Sequence, residues 1–173
     1  MLLAYKRVVD LVPHQGAYVS KPDIDEAQDV FSARKLIEPF LVRTLCASLT
    51  DDKVEALRRQ VAEEAQAHSV GDLPGMIRLS GEFHMVLAEL AGNSSLLRTM
   101  RELTSRTCLI ISLYSQSTRS SCRSDQHADI VDAIIDRDDS VASDLVVRHL
   151  ECTLESLSTQ AILPNVSLEE LFI

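Results

Sequence analysis

Three of the five histidines, His84, His127 and His149, stand where helical spacing turns their rings toward apolar neighbours. His84 shares a face with Ile77, Leu87, Ala88 and Ala91, His127 aligns with Ile130, Val131 and Ile134, and His149 aligns with Ala142, Leu145, Val146 and Cys152. Neutral imidazole binds Zn, Ni, Cu or Fe well, and facing helices of a bundle hold such ligands convergent. A single histidine on an apolar face is ordinarily a core residue with one hydrogen-bond partner. Three of them, from three different helices, bring the metal reading level with that one. The residues are far apart in the chain and carry no zinc-finger or HExxH signature, so spacing leaves both readings open. His68, among polar residues near a helix end, reads as solvent-facing.

Arg34 lies one turn from Val30 and Ile37, so its guanidinium is directed at apolar neighbours and needs an anion, from a ligand or from the protein. Glu38 at i+4 offers a plain intrahelical partner, in the weaker Arg-before-Glu order. Thr107 and Tyr114 lie on one apolar stripe; such residues are ordinarily core members with a satisfied hydroxyl, and pocket lining is the alternative. No Gly-rich phosphate loop and no GxSxG is present, and the acid nearest His84, Glu82, falls off its helix face. No catalytic residue is therefore assigned.

The elements that must position these groups are helices. Five Gly and five Pro punctuate stretches in which Leu, Ile, Val and Ala recur at three- and four-residue intervals. The pattern predicts an all-α fold, an antiparallel bundle of about six helices. The first runs from about residue 26 with Pro39 bending or breaking it, and the second is capped by Thr50 and ended by Gly71. The third spans about 73–91, the fourth is capped by Ser94 or Ser95, the fifth spans about 124–136 and the sixth about 140–157. Residues 1–22 differ: VVDLV and AYVS are β-prone runs around Pro13-His14-Gln15-Gly16, a hairpin with its turn at Gly16. SQSTRSSCRS reads as a loop and 161–173 as a tail.

Seventeen basic against 26 acidic residues give a formal charge of −9, which repels a phosphate backbone, so this chain alone should not grip DNA. Four dispersed cysteines suggest neither a disulfide framework nor a Cys zinc cage, and fit a reducing cytoplasm. No apolar run approaches the roughly 20 residues of a membrane-spanning helix.

FSARKLIEP, then GEFHMVLAELAGN, then SDQHADIVDAIIDRDDSVASDLVVRHL resemble, in order, three landmarks of the GntR-type regulators of the FadR subfamily. The match runs from about Asp25 to Leu157, the effector-binding and oligomerisation (FCD) domain of that family. LVPHQGAYVS looks like the wing hairpin of its winged helix-turn-helix, with Gly16 at the tip that approaches the minor groove. The resemblance implies a ligand-controlled transcriptional regulator, a homodimer with a divalent metal, zinc or nickel, inside the bundle and a small carboxylate effector on or beside it. His84, His127 and His149 fall on the family's metal histidines, and Ser80 stands where an Asp ligand is expected. Arg34 matches a family arginine near the effector, with Thr107 and Tyr114 as further candidate effector contacts.

On this resemblance, residues 1–22 are the wing remnant and linker, 23–160 the effector-binding and dimerisation domain, and 161–173 the tail. Residues 1–22 hold three basic residues against one acidic, and 23–173 hold 14 against 25, a polarity that suits a DNA-proximal start and an acidic sensor. Only ten residues precede LVPHQG, so the chain reads as truncated, and DNA would be reached only through a complete winged helix-turn-helix that it lacks. Two alternatives stand beside this one: a metal-dependent helical-bundle enzyme, and a regulator that has lost DNA binding.

Overall fold

A computed structural model describes residues 9–12, 16–115 and 124–157. Two short strands, β1 (Val9–Val12) and β2 (Gly16–Val19), pair antiparallel with Val9 opposite Val19 and Val12 opposite Gly16. Gly16 thus opens the second strand, and the residues between the strands lie outside the described ones. Six helices follow: α1 (Ile24–Ala47), α2 (Asp51–Val70), α3 (Leu73–Leu90), α4 (Ser94–Tyr114), α5 (Ser124–Ile135) and α6 (Asp139–Glu155). The all-α bundle expected from the periodicity is the observed fold. The SQSTRSSCRS loop, apart from its first and last residues, and the 161–173 tail lie outside the described residues.

Local chemistry accounts for the helix ends. Asp23 caps α1 by accepting from the Glu26 amide, and Thr50 caps α2 by accepting from Lys53. Gly71, at φ 71°, closes α2 in the left-handed conformation that suits glycine. Two expectations are corrected. The cap of α4 is Asn93, whose Oδ1 accepts from both Ser95 and Leu96, where a serine was expected. Helix α1 runs unbroken through Pro39, because that residue is buried within a helix packed against α3, α4, α5 and α6, and this packing outweighs one missing amide bond.

The most extensive helix pairings are α1 with α6, α2 with α3, and α3 with α4. The core divides into two main apolar clusters. One gathers Val42, Leu45, Leu57, Phe83, Ile130, Ile134 and Val146, and the other Val30, Phe31, Leu109, Ile110, Leu113 and Leu150. Along α1, Arg34 and Glu38 fall between the two; along α6, His149 does the same. A buried polar layer therefore crosses the bundle between two apolar ones. No described helix is long and apolar enough to cross a membrane.

Candidate metal centre

α3 carries His84, α5 carries His127 and α6 carries His149, each no more than 2% exposed. One ligand atom from each lies within 4.8 Å of the other two, and the Nε2 atoms of His127 and His149 are 3.1 Å apart. The three rings that spacing turned inward therefore meet in one place.

What holds them is a second tier of polar groups. His84 Nδ1 lies 2.6 Å from Glu38 Oε2, while the other oxygen of Glu38 accepts from Arg34 Nε at 2.6 Å. His127 Nδ1 lies 2.6 Å from Glu64 Oε2, while the other oxygen of Glu64 accepts from Gln60 Nε2 at 3.2 Å. His149 Nδ1 lies 3.0 Å from the side-chain oxygen of Gln126. An ionised carboxylate or an amide oxygen only accepts, so each imidazole, when neutral, carries its proton on Nδ1 and its lone pair on Nε2. Phe83 stacks on His127 at 4.0 Å between centroids and 13° between planes, which fixes the tilt of that ring.

Electrostatics keep two of the rings neutral. Burial, reinforced by the Arg34 charge and only partly offset by Glu38, pushes His84 down to about 4. Burial and then the neighbouring His127, His84 and Arg34 push His149 well below the ordinary histidine range. Burial alone would raise Glu38, but Arg34, His84 and the bonds both donate outweigh it and hold the carboxyl at about 2. The contact between Glu38 and His84 is thus a neutral imidazole donating to a carboxylate.

These residues fit a divalent transition metal. Lone pairs of two unprotonated imidazoles 3.1 Å apart repel unless a cation or proton lies between them. Ligand bonds of about 2.0–2.1 Å in tetrahedral array separate nitrogens by about 3.3 Å, close to the observed spacing. Imidazoles backed by carboxylates or amide oxygens are also the usual outer support of a metal-bound histidine. Such an ion, when bound, would supply a Lewis-acid centre able to take an anionic ligand.

Beside the rings lies a cleft of about 270 Å³, its mouth included, lined among others by Arg34, Ser80, His84, Thr104, Thr107 and His149. Arg34 Nη1 donates to Thr107 Oγ1 at 3.1 Å. The structure thus brings Arg34, Ser80 and Thr107 to the histidines. It does not bring Tyr114, whose hydroxyl donates to the Pro22 carbonyl at 2.7 Å in the apolar cluster around Phe31. Gly16 is on β2. His68 is half-buried with its Nε2 enclosed, not solvent-facing as expected. Glu82 pairs with Arg78 on a partly exposed face of α3.

The spacing argument missed Gln60, Glu64, Thr104 and Gln126, and gave Glu38 only to Arg34. One signal was there: Gln60 and Glu64 continue the three- and four-residue rhythm of Leu57 and Ala67, the buried stripe of α2.

The profile of the FCD domain family matches residues 29–151. The Nta operon transcriptional regulator of Aminobacter aminovorans is 28% identical over 138 residues, which cover 80% of this chain and 64% of that relative. The chain therefore spans less than two thirds of that relative's length. Among solved structures, a Streptococcus agalactiae GntR protein superposes with a TM-score of 0.67 at 24% identity, covering 90% of this chain and 78% of its own. The McbR/YncC protein of E. coli superposes with a TM-score of 0.76 at 14% identity, covering 89% and 74%. At these identities the likeness establishes the fold.

Proposed function

Because the chain belongs to the FCD domain family, we propose that it is the effector-sensing and dimerisation part of a GntR-type transcriptional regulator. It binds zinc or nickel through His84, His127 and His149, and a small carboxylate beside Arg34. One observation carries this reading: three buried imidazoles, whose Nδ1 atoms are all engaged, each bring one ligand atom within 4.8 Å of the other two. The curated relative, a transcriptional regulator, supports the regulatory role.

In this reading the chain's own residues do the sensing. Glu38, Glu64 and Gln126 set the imidazole tautomers, and Arg34, anchored by Glu38 and Thr107, presents a guanidinium to an acid entering the cleft. Ligand binding changes the relative free energies of helix arrangements and so the spacing of two DNA-reading heads on a dimer. The test is metal content after dialysis against zinc. His84→Ala and His149→Ala should each lose most bound zinc, and His68→Ala should retain it. Equal zinc in all three variants would refute the site.

A further inference from the structure

Thr107 and Tyr114 are seven residues apart on α4, so their side chains leave one face of that helix about two turns, or roughly 10 Å, from each other. Thr107 accepts from Arg34 Nη1 at 3.1 Å, and with Thr104, Cys108 and Ile111 it lines the cleft beside the imidazoles. Tyr114, 8% exposed, donates its hydroxyl to the Pro22 carbonyl at 2.7 Å. Arg106, in the same stretch, pairs with Glu26 in the first turn of α1. This part of α4 therefore faces the buried centre at one end and grips the start of α1 at the other.

Pro22 belongs to the connector, residues 20–23, that joins β2 to α1. Among the described residues neither strand packs extensively on a helix, and each has the other as its main partner. The connector thus governs how the hairpin sits on the bundle. Of its four residues only Pro22 is buried, and proline, having no N–H, leaves its carbonyl as the one backbone polar group to be satisfied. Its ring fixes φ, so with Tyr114 holding that carbonyl and Asp23 capping α1, the chain enters the helix along a defined path.

We propose that Tyr114 is a latch between the buried centre and the hairpin: its bond to Pro22 makes the placement of β1 and β2 follow the placement of α4 against the cleft. Close-packed interiors transmit strain, so a shift of α4 at Thr104 and Cys108 is carried to Tyr114 two turns away instead of being absorbed on the way. Without the hydroxyl, the ring still belongs to the apolar cluster of Phe31, Leu113 and Leu150, but the tie to the connector is gone. The proposal goes beyond the sensing role above and does not depend on the metal, because mutation alone displaces α4 from the cleft side. At Gly81 an added Cβ would lie 2.6 Å from Cys108 Sγ and 3.3 Å from Thr104 Cγ2, both on α4.

The experiment is nitrogen-15 relaxation and amide chemical shifts of the full chain in four forms: unmodified, Tyr114→Phe, Gly81→Ala and the double variant. In the unmodified chain the order parameters of Ala17, Tyr18 and Val19 should lie near the value of about 0.85 for rigid backbone. In Tyr114→Phe they should fall below about 0.6 while the helices stay rigid. Gly81→Ala should shift the amides of Ser20, Lys21 and Asp23 along with those of α4. In the double variant the connector shifts should shrink by roughly twofold or more, with the α4 shifts retained. Thr107→Val, which removes the Arg34 contact, gives the same comparison if Gly81→Ala fails to fold. Order parameters that are equal in the unmodified chain and Tyr114→Phe, whether both high or both low, overturn the latch. Connector shifts that survive undiminished in the double variant overturn its coupling to the cleft. Neither result bears on zinc content, which tests the metal site separately.

Discussion

Glu38→Gln is the sharpest perturbation of the buried layer. The carboxylate accepts from Arg34 Nε and from His84 Nδ1, each at 2.6 Å, and all three residues are at most 2% exposed. Glutamine keeps the shape but offers one acceptor and one donor where two donors converge, and it strips Arg34 of its counter-charge. Removing one partner of a buried pair costs about 3–5 kcal/mol. For a chain of this size each kcal/mol shifts the melting temperature by about 2–4 °C, so the metal-free variant should melt roughly 6–20 °C lower. A second effect is chemical. If the glutamine amide faces His84, Nδ1 must accept, and the ring's proton moves to Nε2, where it blocks the lone pair offered to a metal. Nitrogen-15 spectra of the histidine rings read that tautomer directly, and zinc affinity should fall with it. An unchanged melting temperature together with an unchanged His84 tautomer would show that Glu38 neither neutralises Arg34 nor orients the ring.

Acid should destabilise the metal-free fold. His84 is depressed to about 4 from 6.5, so its contribution is whole above pH 6.5 and falls away as pH drops toward 4; Glu38, near 2 from 4.5, extends the loss below that. A melting temperature that stays level or rises between pH 7 and pH 4 would contradict this, and the slope should flatten in His84→Asn. At Gly81 an added Cβ would stand 2.6 Å from Cys108 Sγ and 3.3 Å from Thr104 Cγ2, so α3 and α4 approach as closely as they do because position 81 has no side chain. Gly81→Ala should cost about 1–3 kcal/mol by overpacking, despite alanine's better helix propensity, and Cys108→Ala should restore most of it in a denaturation-based double-mutant cycle.

The three rings were legible because histidine among Ile, Val and Leu at helical spacing has one buried direction to point. The landmarks FSARKLIEP and GEFHMVLAELAGN, which carry Arg34, Glu38 and His84, led to a family resemblance that the FCD match over residues 29–151 bears out. Glu64 was not legible as a site residue. A glutamate on a helix as charged as α2 reads as part of a solvated face, and only the packing of α3 and α5 over it turns it into the partner of His127. Gln126 is similar: it precedes His127 in the chain, and its contact with His149 exists only because α5 and α6 fold back on each other. Pro39 marked a bend or a break by local rules, and burial against several helices carries α1 on through it without a break. Tyr114 shared the stripe of Thr107 but lies about two turns further along α4, past the end of the cleft.

The polar layer draws on every described helix: Glu38 from α1, Glu64 from α2, His84 from α3, Thr107 from α4, His127 from α5 and His149 from α6. Opening any one of them to solvent removes either a ligand or part of the support that holds one. An occupant of the centre would therefore slow amide hydrogen exchange in all six helices in concert, so that separately fraying segments merge into one cooperative unit.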